Sequence, residues 1–138
     1  MKQVLMIIIV FLWSCIPNEI IADVDTLKTP NDFFRDTKVW DISLTLSSND
    51  YDLLEPKGGR GFGADFNYVQ ANVTISGKLF KNVGLRYKGN SSFSSARSIP
   101  KKSFKIDFNR FVKGQKFVGL TKLSLNNNVL DPSQIREA

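Results

Sequence analysis

Apolar side chains recur at every second position in three separate runs of the middle of the chain, and this alternation limits the fold more than any other feature. In NYVQANVTISG the apolar positions are Val69, Ala71, Val73 and Ile75. In LFKNVGLRYKG they are Val83, Leu85 and Tyr87, with Gly84, Arg86 and Lys88 between and beyond them. In KKSFKIDF they are Phe104, Ile106 and Phe108, alternating with Ser103, Lys105 and Asp107. A period of two puts one set of side chains on each face of a strand, so each run predicts a strand with one face on a core. Ser76-Gly77-Lys78 reads as the turn between the first two. DISLTL predicts an earlier strand, with Ile42, Leu44 and Leu46 inward, and GQKFVGLTKLSLNNN a later one around Leu123 and Leu125. Between them SSNDYDLLEP predicts a short helix, capped by Ser48 or Asn49, presenting Tyr51, Leu53 and Leu54 and stopped by Pro56. The expected fold class is α+β: mainly an antiparallel β-sheet with short helices.

Charge is concentrated in the same region. From Arg86 to Lys116 there are nine cations (Arg86, Lys88, Arg97, Lys101, Lys102, Lys105, Arg110, Lys113, Lys116) against one acid, Asp107. That local +8 exceeds the net +6 of all 138 residues, so the remainder sums to −2. A basic segment on a near-neutral body suits an anionic partner, such as a phosphate group, a nucleic acid or a membrane surface. A solvated sheet face protected from edge pairing by its lysines is the competing reading.

The ends and connections narrow the chemistry. Val4 to Trp13 (VLMIIIVFLW) is an apolar run of ten residues after Lys2. It has the length of a signal-peptide core and falls short of the roughly 20 needed to span a bilayer. Cleavage after Ala22 gives a signal peptide over 1–22. Leu12-Trp13-Ser14-Cys15 offers a lipobox-like alternative that would anchor the chain to a membrane by lipidation at Cys15. The expected location is secreted or cell-surface. Cys15 is the sole cysteine and histidine is absent. Ser-His-Asp and Cys-His nucleophilic machinery, thiolate zinc sites and intrachain disulfides are therefore excluded.

Residues 23–37 are polar and acidic and read as a linker. Asp23 and Asp25 do not open a calcium loop, because Leu27 and Lys28 stand where a ligand and the turn glycine belong. KGGRGFGAD, residues 57–65, lacks GxGxxG and follows a helix-like segment, so it reads as a flexible connection. Asn72-Val73-Thr74 and Asn90-Ser91-Ser92 match the glycosylation acceptor pattern, which carries meaning only in a eukaryotic secreted protein.

If the strands ending at Lys88 and beginning at Ser103 are neighbours, Arg86, Lys88 and Lys105 share a polar face beneath the small-residue loop GNSSFSSARSIP. Cations on a sheet face and a loop offering backbone amides and hydroxyls can together hold phosphate groups. Finally, DPSQIREA opens a helix with Asp131 as cap, Pro132 in the first position and Gln134 completing a capping box. The sequence given stops at Ala138, so the reading expects the domain to be incomplete.

VGLRYKGNSSF, then IPKKSFKIDFN, then KFVGLTKLSLNNNVLDPSQIREA, in this order and preceded by VWDISLTLSSNDYDLLEP, resemble the N-terminal part of the CotH kinase family, named for spore coat protein H. The resemblance spans residues 38–138. It implies an exported atypical protein kinase with a divergent kinase-like fold, using ATP and a divalent metal such as Mg to phosphorylate Ser or Thr of a protein substrate. Carried over, it puts Arg86, Lys88, Gly89, Asn90 and Ser91 in a strand-loop element and Lys102 and Lys105 in the following strand, all toward nucleotide phosphates. Alternation favours Lys105, since Lys102 has the parity of Phe104 and Ile106; Glu137 is a candidate partner for such a lysine by analogy with ordinary kinases. In the family the metal-binding and catalytic acids lie beyond the equivalent of Ala138, so this chain is expected to lack catalytic and metal residues. The alternative is a small secreted β-rich binding or adhesion module with a basic face. Nucleic acid is not an expected partner, because Phe93 is the only aromatic in the 89–100 loop.

Overall fold

The computed structural model describes residues 24–35, 39–56, 65–89, 93 and 100–127. The signal-peptide and lipobox readings, most of the glycine-rich loop, Asn90, Ser91, Arg97 and the DPSQIREA helix with Glu137 lie outside these residues.

The alternating runs form strands that pair with their sequence neighbours. These are β1 (Ile42–Thr45), β2 (Val69–Ile75), β3 (Lys78–Tyr87), β4 (Phe104–Asp107) and β5 (Lys122–Leu125). Together they make one five-stranded antiparallel sheet in the order β1-β2-β3-β4-β5. Each strand therefore pairs locally, and the class is α+β, mostly strand, as the alternation predicts.

The β2–β3 hairpin turns on Ser76 and Gly77, both at positive φ (41° and 87°), the handedness that matches the strand twist in a two-residue turn. One residue of β3 is extra: Ala71 pairs with Val83 but Val73 with Phe80. Asn82 takes up the bulge at φ 55°, its N–H donating to Asn72 Oδ1 at 3.1 Å. The bulge shifts the inward parity of β3, so that Phe80 joins Val83, Leu85 and Tyr87 in the core.

Val69, Ala71, Val73 and Ile75 of β2, Ile106 of β4, Phe108 and Leu123 of β5 complete the inward face. Phe117, from the β4–β5 connection, lies edge-on to Phe80 (5.7 Å) and stacked on Phe108 (5.9 Å). Edge-to-face and offset aromatic pairs add to area burial, so this ring group is a stable nucleus for the curled sheet.

Two short helices close the core. α1 (Pro30–Arg35) lies within the segment read as a linker. Thr29 precedes it, Pro30 takes the first position, and Asp32 Oδ2 accepts from the N–H groups of Lys28 (3.0 Å) and Thr29 (2.8 Å). This start places Phe33 against Phe117, edge-on at 5.0 Å, and the buried Val24 of the preceding 3-10 turn joins the same core. Polarity of the segment concealed two buried anchors. α2 (Ser48–Leu54) is capped by Ser47, one residue before the expected cap, whose Oγ accepts from Asp50 N–H at 3.1 Å. Of the expected apolar face only Leu54 is buried; Tyr51 and Leu53 are exposed.

Candidate functional site: a cationic sheet face

Antiparallel pairing sets β3 against β4 so that Arg86 faces Lys105 and Gly84 faces Asp107. The next pairing sets Lys105 against Ser124. Directly opposed residues share a face, so Arg86, Lys105 and Ser124 form a row across the outer side of the sheet. Their neighbours Leu85, Tyr87 and Ile106 point into the core.

The only acid in the basic segment does not neutralise this row. Asp107 is 8% exposed, more buried than an outward strand position suggests. Its Oδ1 accepts from Asn109 N–H at 3.1 Å, and its Oδ2 lies 3.8 Å from Lys122 Nζ. Its role is to organise the turn after β4.

Arg86 is held from two sides. Its Nη1 donates to Tyr87 O at 3.2 Å, and its guanidinium lies 5.2 Å from the centre of the Tyr68 ring. Arg110 reaches the same ring at 5.1 Å. Gly84 makes room for it: a Cβ there would lie 2.7 Å from Arg110 Cβ and 3.0 Å from Tyr68 Cδ1. Neither Tyr68 nor Arg110 was singled out by sequence reasoning, although a glycine inside a strand signals close approach of another group.

Lys88 continues the outer face past the end of β3. Its backbone N–H donates to Ser103 O at 2.9 Å and its ammonium to Asn126 Oδ1. Ser103, expected outward, is buried, and its Oγ accepts from Asn127 N–H at 3.0 Å; Asn127 Nδ2 donates to Lys101 O at 3.1 Å. The asparagines after β5 thus fasten both ends of the 89–100 loop. Gly89 begins that loop at φ 80°, and its carbonyl accepts from Phe93 N–H at 2.8 Å.

Lys102 contacts a different element. Its ammonium lies 5.3 Å from the centre of the Phe93 ring, which packs 5.1 Å from Tyr87 on the core face. Arg86, Lys88 and Lys105 are therefore grouped on the outer face, whereas the described contact of Lys102 is with Phe93. Tyr87 also donates its hydroxyl to Glu55 Oε1 at 3.3 Å. Burial, with the Glu55 charge beside it, raises its pKa to about 12.

Among the described residues no group of three or more Asp, Glu or Cys side chains is placed to hold a metal ion. No curated protein and no solved structure matches the chain. Residues 85–138, which contain Arg86, Lys88, Lys105 and Arg110, match the family model of the CotH kinase protein, a partial match over the C-terminal part of this chain.

Proposed function

We propose that this chain contributes the phosphate-holding face of an exported, CotH-like atypical protein kinase that uses ATP to phosphorylate Ser or Thr of a protein substrate. The observation that carries the reading is the direct opposition of Arg86 and Lys105 with Asp107 engaged elsewhere. Like charges opposite one another on adjacent strands destabilise a sheet by roughly 0.2–1 kcal/mol, a cost that a bound polyanion reverses. The family match over the same residues supports a nucleotide as that anion.

In this reading Arg86 presents its planar donor edge to two phosphate oxygens while Tyr68 holds its orientation. Lys105 acts as a point charge, and Lys88 and Gly89 position the start of the loop beside the phosphates. ATP supplies the transferable phosphoryl group. The described residues do not fit a divalent metal.

The test is thermal unfolding with and without Mg-ATP for wild type, Arg86→Ala and Lys105→Ala. A ligand that binds only the folded chain stabilises it by RT ln(1 + [L]/Kd), so wild type gains melting temperature and the variants gain less. Equal shifts in all three sink the reading.

A further inference from the structure

The β4–β5 connection carries a second basic feature that the phosphate face does not use. Residues 109–116 form a closed loop: Asn109 N–H donates to Asp107 Oδ1, Gly114 N–H to Asn109 Oδ1, and Gln115 N–H to Val112 O at 3.2 Å. Its base is fixed by Phe108 N–H donating to Thr121 O at 2.8 Å and by the reciprocal Phe117–Leu120 backbone pair. This ordered loop displays Phe111 (48% exposed) and Val112 (37% exposed), adjacent residues that do not belong to the core cluster or its packed neighbours. Arg110, Lys113 and Lys116 flank them, all exposed, and residues 108–121 contain no acid.

Two exposed apolar side chains in a hydrogen-bonded loop, flanked by cations, match the boundary of an anionic bilayer in both respects. The apolar pair gains from entering an apolar phase, which a soluble polyanion does not offer, and the cations complement anionic headgroups. Because the loop is closed by its own hydrogen bonds, little ordering is needed on contact. We infer that the 109–116 loop is a peripheral docking tip for anionic lipid surfaces, with Phe111 and Val112 entering the headgroup layer and Lys113 and Lys116 on the phosphates. Arg110 remains over Tyr68. The inference does not depend on nucleotide binding.

Phe111→Trp in the full chain provides a local probe, independent of the apolar run near the N-terminus. With vesicles of phosphatidylcholine and phosphatidylglycerol, the added indole emission, taken as the difference from wild type, shifts blue and is quenched by brominated acyl chains. Vesicles of phosphatidylcholine alone give little response. Lys113→Ala and Lys116→Ala in this background each raise the lipid concentration at half-response about fivefold, as expected for about one headgroup interaction per cation. An indole that brominated lipid leaves unquenched overturns the inference, as does one that responds equally to neutral vesicles. If polyphosphate binds through Lys113 and Lys116 while the indole stays unquenched, the surface belongs to a soluble polyanion and the inference also fails.

Discussion

Replacing Gly84 by alanine tests whether the arrangement of Arg110 over the sheet is as tight as it looks. Gly84 is buried within β3 and is not among the glycines at positive φ, so its backbone alone does not require glycine. At an open strand position, the change to alanine would stabilise by about 0.5–1 kcal/mol, because glycine loses more conformational freedom on folding. Here the added carbon lies 2.7 Å from Arg110 Cβ, 2.9 Å from Arg110 Cγ and 3.0 Å from Tyr68 Cδ1. The first contact involves the root of a side chain, which moves only with its backbone. A contact this short with a Cβ falls in the upper part of the overpacking range, about 2–3 kcal/mol, which outweighs the entropic gain and leaves a net loss of about 1–2.5 kcal/mol. For a domain of this size that lowers the melting temperature by roughly 4–20 °C. Urea unfolding of wild type, Gly84→Ala, Arg110→Gly and the double variant measures it. The alanine penalty shrinks when Arg110 is absent, giving a coupling of at least about 0.5 kcal/mol. A Gly84→Ala protein as stable as wild type, or more so, refutes the close approach and with it the shared Tyr68 ring.

Ser47→Ala removes the acceptor for Asp50 N–H and destabilises by about 1 kcal/mol in urea unfolding, whereas Ser48→Ala, inside the helix, has a smaller effect. Ser103→Ala leaves the backbone N–H of the buried Asn127 without its side-chain acceptor and costs about 1–3 kcal/mol, read by the same assay. Tyr87 has its pKa raised from 10.0 to about 12, so the folded state favours the neutral phenol. Its contribution is complete below pH 10 and is lost as pH rises toward about 12; the stability difference between wild type and Tyr87→Phe at successive pH values follows that loss. Asp32 has its pKa lowered by the backbone N–H groups of Thr29 and Lys28, so its contribution is present above the ordinary carboxylate range and lost as pH falls through the lowered value. An NMR titration of its carboxyl carbon locates that midpoint below the 3.8 of a free aspartate.

The meander was legible because Val69 to Ile75, Val83 to Tyr87 and Phe104 to Phe108 alternate strictly, and alternation is the direct sequence image of a half-buried strand. The grouping of Arg86 with Lys105 followed from parity and neighbour pairing alone. α1 was missed although Thr29-Pro30-Asn31-Asp32 carries the same start signal recognised at Asp131-Pro132-Ser133-Gln134. The charged residues around Phe33 outweighed it in composition, while the energy of the segment resides in one buried ring. Ser103 and Asp107 have outward parity but are buried, because their partners, Asn127 and Asn109, come from segments whose positions alternation does not encode. The contact of Arg86 and Arg110 with Tyr68 was hidden for a similar reason: it joins a residue of β3, the residue just before β2 and one in the β4–β5 connection, and only Gly84 marks it in the sequence.

Asn126 and Asn127 have a mechanical consequence. Through Lys88 they grip the chain entering the 89–100 loop, and through Ser103 and Lys101 they grip the chain leaving it. The two feet of the loop stand on adjacent residues of one short backbone segment, like a handle riveted to a single plate. A twist of that plate moves both feet in the same sense, so the backbone leaving β5 and the two ends of the loop at Lys88 and Lys101 constitute one degree of freedom.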